Sequence, residues 1–211
     1  MLQTFKKLLF LSVILLNSTN LISEENPYIF IENNSQKMVM ALKDNKSLFE
    51  ENRELYESKI KEIFEPMIDF KRVAASVMGK KYYLSATPDQ RNAFVEIFKD
   101  SLLNTYSETL AQWDDQTITT IFPVIKENFQ NLSSIEVQQK LNTGSSSYPI
   151  SYKLRKNKNN TWSIVNIIVN GVNLGLTFRN QFKALANKNG GDIERTIEGW
   201  VSDAGDAGIS G

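Results

Sequence analysis

The sequence predicts an α+β fold: a curled antiparallel sheet of four or five strands with helices packed on its concave face. Three observations lead there. Over 28–113 apolar side chains recur every three or four positions, the period of amphipathic helices. At Asp114 the period drops to two, and 116–169 reads as short strands parted by polar turns. Over 174–201 the helical period returns. Segregated blocks of this kind define α+β rather than alternating βα units.

The first helix is expected over 28–43, after Asn26-Pro27, with Ile31, Met38 and Leu42 at helical spacing. Residues 45–51 read as a loop or cap. A second helix over 52–65 places Leu55, Tyr56, Ile60, Ile63 and Phe64 on one face, and Pro66 ends or kinks it. Asp69 is placed to cap a short third helix over 70–78. Gly79 suits its left-handed C-terminal position, and Tyr82-Tyr83 then form a bridge.

The helix over 87–113 carries the strongest local signal. Thr87, Pro88 and Gln90 have the spacing of a capping box with proline at the first helical position. Asp89 adds negative charge at the positive end of the helix dipole. Phe94, Ile97, Phe98, Leu102, Tyr106, Leu110 and Trp113 form one apolar stripe. About 26 helical residues would run roughly 39 Å, enough to wall a small domain.

Strands are expected over 116–123, 133–141, 148–155 and 161–169. Ile135, Val137 and Gln139 share a face of the second; Tyr148, Ile150, Tyr152 and Leu154 alternate strictly in the third. In the fourth, simple alternation puts Trp162 and Ile164 on one face and Val165, Ile167 and Val169 on the other. That strand therefore reads as apolar on both sides. Asn170-Gly171 breaks it. Leu174, Phe178, Phe182 and Leu185 stripe a further helix, and Asp192 caps a last one with Ile193, Ile197, Trp200 and Val201. Residues 202–211 read as a disordered tail, leaving one domain over 24–201.

Composition limits the chemistry. The 211 residues suit one domain, and 41% apolar content supplies a core. Lys plus Arg and Asp plus Glu each number 24, so no basic excess points to nucleic acid. The chain has no Cys and no His, which removes disulfides, thiolate nucleophiles, His bases and His or Cys metal sites. Lys6-Lys7, the apolar run over 8–16 and a polar stretch to Ser23 have the layout of a secretory signal over 1–23.

The short motifs are bland. Glu50-Glu51 and Asp114-Asp115 are adjacent pairs, which do not face each other on a helix or strand, and read as solvated turns. Lys80-Lys81-Tyr82-Tyr83 mixes charge and aromatics over too few residues for a nucleic-acid site. Large apolar side chains are in excess on the helix stripes and the last strand. An ordinary core and an apolar ligand cavity both account for that.

The pieces Val77-Met78-Gly79-Lys80-Lys81-Tyr82-Tyr83, Ser85-Ala86-Thr87-Pro88-Asp89-Gln90-Arg91, and Phe94, Phe98, Leu102 and Tyr106 resemble the signature region of the MlaC, or toluene-tolerance (Tgt-type), family. Thr161-Trp162, then Ile167-Ile168-Val169-Asn170-Gly171-Val172-Asn173-Leu174, and Phe178-Arg179-Asn180-Gln181-Phe182 match further. Asn189-Gly190-Gly191-Asp192-Ile193 and Asn26-Pro27-Tyr28 fit as well.

The resemblance implies a periplasmic phospholipid carrier that maintains outer-membrane lipid asymmetry. It implies a cone similar to the nuclear-transport-factor fold, with acyl chains between sheet and helices. Implied partners are phospholipid, an outer-membrane lipoprotein–porin complex, and an inner-membrane ABC transporter with an MCE-domain subunit. It implies no catalysis and no cofactor beyond the lipid ligand. The expected lipid contacts, chosen for apolar character near these motifs, are Val77, Met78, Leu102, Tyr106, Ile150, Tyr152, Ile167, Val169, Val172, Leu174 and Phe178. Gly171 and Gly175 are candidate hinges. The alternatives are an enzyme on the same cone, with Asp69 or Tyr106 in a polar pair, or a pocketless interaction module.

Overall fold

The computed structural model describes residues 26–124, 128–129 and 131–203. The expected signal over 1–23 and the tail beyond 203 lie outside the described residues. Five helices come first: α1 (Pro27–Asp44), α2 (Leu48–Glu51), α3 (Arg53–Phe64), α4 (Phe70–Ser85) and α5 (Pro88–Ala111), with a 3₁₀ turn at Glu65–Met67. Five strands follow: β1 (Thr117–Ile121), β2 (Ser134–Asn142), β3 (Ser147–Lys156), β4 (Trp162–Val169) and β5 (Val172–Asn173). Then come α6 (Leu174–Lys188) and α7 (Ile193–Glu198). The strands lie in the order β1-β2-β3-β4-β5, each antiparallel to the next. The α+β class and the antiparallel meander are as expected, and the sheet stays open because β1 and β5 do not pair.

Local chemistry sets the helix starts. Asn26 Oδ1 accepts the N–H of Tyr28 at 2.9 Å. At α5 the capping box is complete: Gln90 N donates to Thr87 Oγ1 at 3.2 Å, and Thr87 N donates to Gln90 Oε1 at 3.0 Å. Asp69 Oδ1 accepts from Arg72 N at 3.0 Å. The backbone N–H of Asp69 also donates to the carbonyl of Ile164 at 3.0 Å. That bond ties the start of α4 to β4.

Four expectations change. Residues 48–51 form the one-turn helix α2 rather than loop. Gly79 does take a left-handed conformation (φ 69°, ψ 162°), but the helix resumes beyond it. Tyr82 and Tyr83 are therefore helical, and Tyr82 is buried against Phe182 (5.8 Å between rings) with its hydroxyl donating to Asn187 Oδ1 at 3.0 Å. Helix α7 stops at Glu198, and Ser202 is not tail. Its N–H donates to Ser101 Oγ at 2.6 Å, and its carbonyl accepts from Thr105 Oγ1 at 3.0 Å. Asp203 N then donates to Gln181 Oε1 at 3.3 Å, so the segment straps α5 to α6.

The fourth change concerns β4. Lys153 pairs with Asn166, but Leu154 pairs with Ile164, so Val165 is an extra residue, a bulge. Residues two apart on β3 share a face. Ile164 opposite Leu154, Ile167 opposite Tyr152 and Val169 opposite Ile150 therefore lie on one face. Strict alternation had split them, so the strand reading as apolar on both sides is corrected.

The core falls into three groups. Phe94, Phe98, Phe178, Phe182 and Trp200 pack together between α4, α5, α6 and the strap. Val137, Leu154, Trp162 and Ile164 on the sheet meet Tyr28, Ile31 and Met67. Leu42, Tyr56, Ile60, Leu103 and Ala111 join α1, α3 and α5. Gln139 is fully buried among them. Its Nε2 donates to Ser35 Oγ and Thr120 Oγ1, both at 2.8 Å, which engages both N–H donors of the amide and fastens α1 over β1 and β2, while its Oε1 is buried without a partner among the described residues.

Candidate functional site

A cavity of about 270 Å³ lies between β4 and the helices. Helix α3 contributes Ile60 and Phe64, and the turn after it Ile68. Phe70 and Val73 come from α4. Phe98, Leu102, Leu103, Tyr106, Thr109 and Leu110 come from α5. Ile164, Asn166 and Ile167 belong to β4; Leu174, Gly175 and Phe178 to α6.

Burial divides this wall into a floor and a rim. Ile60, Phe70, Phe98, Leu103, Ile164 and Phe178 are buried. Thr109 is exposed, and Leu102, Tyr106, Leu110, Asn166, Ile167, Leu174 and Gly175 are half-buried, as are Phe64, Ile68 and Val73 on the α3–α4 side. The exposed Thr109 places an opening by the C-terminal half of α5, across from the turn of β4 into α6. The floor is wholly apolar, so it offers a ligand burial without directional bonds.

The polar groups of the rim are already engaged near α6. Asn173 caps that helix, its Oδ1 accepting from Leu176 N at 3.1 Å. Asn166 Nδ2 donates to Asn173 Oδ1 at 3.0 Å, and Asn166 Oδ1 accepts from Gly175 N at 3.0 Å. These bonds fix where α6 leaves the sheet.

Of the expected contacts, Leu102, Tyr106, Ile167, Leu174 and Phe178 line the cavity. The others lie elsewhere. Val77 and Met78 are buried in the aromatic group, because α4 turns Phe70 and Val73 to the cavity instead. Ile150 and Tyr152 sit on β3, one strand beyond the lining; Tyr152 packs with Ile167, and burial pushes its phenol above its ordinary pKa. Val169 and Val172 pair with each other past the rim. Phe98 of the α5 stripe lines the floor, whereas Phe94 packs behind it at 5.9 Å. Sequence reasoning overlooked Ile60, Phe64, Ile68, Phe70 and Val73. The stripe on α3 was visible, but only long-range packing shows what it faces.

The expected polar pair is not assembled. Tyr106 lines the cavity, but Asp69 does not. Its carboxylate caps α4 and pairs with Arg72 Nε at 3.0 Å. Among the described residues no group of three acidic side chains is placed to hold a metal ion. No described helix is long and apolar enough to cross a membrane.

An open antiparallel sheet with an apolar cavity under its helices defines a cavity protein suited to an apolar ligand. The chain belongs to the MlaC family: the family model described as "MlaC protein" matches residues 32–202. It is 31% identical over 186 residues to a toluene tolerance protein, ttg2D, of Pseudomonas putida, covering 88% of this chain and 85% of that protein. It is 22% identical over 198 residues to the intermembrane phospholipid transport system binding protein MlaC of Haemophilus influenzae, covering 93% and 83%. A solved phospholipid-binding protein from Ralstonia solanacearum, in complex with a phospholipid, superposes with a TM-score of 0.73 at 22% identity. That match covers 82% of this chain and 94% of the other.

Proposed function

We propose that this protein is a periplasmic phospholipid carrier that holds acyl chains in the cavity under α5. It would shuttle lipid between an outer-membrane lipoprotein–porin complex and an inner-membrane ABC transporter with an MCE-domain subunit, and so maintain outer-membrane lipid asymmetry. The observation that carries the reading is the apolar cavity between β4 and the helices α3, α4, α5 and α6. Membership of the MlaC family supports it.

The energetics suit a carrier. A two-chain lipid exposes roughly 30 methylenes, at about 0.8 kcal/mol each. On the order of 24 kcal/mol therefore opposes its standing in water. A methylene takes up about as much room as a water molecule, roughly 30 Å³, so the cavity accommodates on the order of ten. Two full chains require the walls to part, which a carrier must do in any case to load and release. Burial is non-directional, so direction comes from the partners and their ATP, not from the pocket.

Organic extraction of natively purified protein, followed by mass spectrometry, tests the reading. Stoichiometric phospholipid is expected. A stable protein that holds no lipid and takes none from liposomes would sink it.

A further inference from the structure

Helices α4 and α6 pack on each other, and together they carry Lys71, Arg72, Lys80, Lys81, Arg179, Lys183 and Lys188 without one acidic residue. The whole chain balances 24 bases against 24 acids, so this face is a local concentration of positive charge. Arg72 is neutralised by Asp69 at 3.0 Å. Lys80, Lys81, Arg179 and Lys183 are exposed and have no ion-pair partner among the described residues.

Leu176, Arg179 and Lys183 share one face of α6 by their spacing. Gly79, at the kink just before Lys80, brings α4 to that face: a β-carbon there would stand 3.2 Å from Arg179 Nε. The arginine therefore lies over the kink, beside Lys80. Leu176 and Leu84, 55% and 64% exposed, are apolar side chains among these charges.

We propose that the α4–α6 ridge docks on the anionic headgroup surface of a lipid bilayer. Cations flanked by exposed leucines suit a surface with negative phosphates over hydrocarbon. An acidic protein surface would satisfy the cations too, but position favours the bilayer. Helix α6 leaves the cavity rim at Leu174 and Gly175, so the ridge begins where a lipid would leave the pocket. The proposal rests on the carrier reading, since it assigns the ridge to the membrane that supplies or receives the cargo.

The test is sedimentation of the mature protein with vesicles of equal phosphatidylglycerol and phosphatidylcholine, and with phosphatidylcholine alone. The mixed vesicles are expected to retain the protein, with binding that falls as salt rises. The triple variant Lys80→Gln, Arg179→Gln, Lys183→Gln should bind about a hundredfold more weakly while its extracted lipid content stays unchanged. A control variant, Lys37→Gln, Lys140→Gln, Lys153→Gln, removes as much charge from other exposed sites and should lose far less. Equal loss in both variants overturns the ridge, as does equal binding to both vesicle types. A lipid-loaded protein that ignores anionic vesicles also overturns it, and leaves an acidic protein as the ridge's partner. Ridge-dependent vesicle binding by a protein that never holds lipid supports the docking surface and counts against the carrier reading instead.

Discussion

The amide oxygen of Asn166 accepts the backbone N–H of Gly175 at 3.0 Å, and a β-carbon at position 175 would stand 2.5 Å from that same oxygen. The two residues specify each other. Only a residue without a side chain leaves room for the Asn166 amide against the first turn of α6 in this arrangement.

Gly175→Ala is therefore expected to break that bond and cost about 1–3 kcal/mol of stability. Combining it with Asn166→Ala should cost less than the sum of the single changes, because the two share one contact. Denaturant midpoints of the four proteins measure this. A Gly175→Ala protein as stable as the parent would show that the rim is looser than described.

Loading should follow the wall of the cavity. Leu102→Glu and Ile167→Glu place an uncompensated carboxylate at its lining and should abolish lipid uptake from liposomes. Val169→Glu lies on the same strand face as Ile167 but outside the lining, so it should retain most uptake. Val169→Glu failing while Ile167→Glu loads normally would invert this map.

At Gly79 the backbone takes φ 69° and ψ 162°, a region essentially reserved for glycine. A methyl group would also press on Arg179 at 3.2 Å. Gly79→Ala should lose roughly 1–3 kcal/mol, read as a lowered melting temperature. An unchanged melting temperature would mean that the kink relaxes freely.

Stability should fall in alkali. Burial raises the Tyr152 phenol; burial, and then the charge of Glu57, raise Tyr56. Burial works against the charge on Lys99, but hydrogen bonds to Glu65 and Glu96 outweigh it and raise its pKa as well. All three folded values exceed the unfolded ones, near 10. Below that range their contributions are fully present. Above it the unfolded chain sheds protons that the folded chain keeps, so stability drops as pH rises. Denaturation curves across that range should show the decline, and Tyr152→Phe should make it shallower. A flat profile would count against the enclosure of these groups.

Much of this was legible along the chain. Local rules account for α5, because Thr87, Pro88 and Gln90 act on their own neighbours. They also account for the meander, since β3 alternates cleanly from Tyr148 to Leu154. The bulge at Val165 was not legible: nothing in Ile164-Val165-Asn166 marks an extra residue, and the register is set by pairing with β3. Ser202 misled for a similar reason. Small polar residues read as solvent-facing until Ser101 and Thr105, about a hundred positions away, supply its partners. The cavity residues on α5 and α6 emerged from their stripes and from the family motifs. Those on α3 and the start of α4 face the cavity through long-range packing, to which the bond from Asp69 to Ile164 contributes at α4, and no local pattern encodes it.

Trp200, held in place by the strap, has an optical consequence. Its indole lies 6.3 Å from the ring of Phe98 and 6.5 Å from that of Phe178, and both phenylalanines form the cavity floor. Its Nε1 is buried without a hydrogen-bond partner among the described residues. The protein thus carries an intrinsic fluorophore one side chain behind its pocket, in an apolar setting sensitive to any repacking there. With Trp113 and Trp162 replaced by phenylalanine, filling and emptying of the cavity should be readable in the emission of Trp200 alone, without attaching a dye.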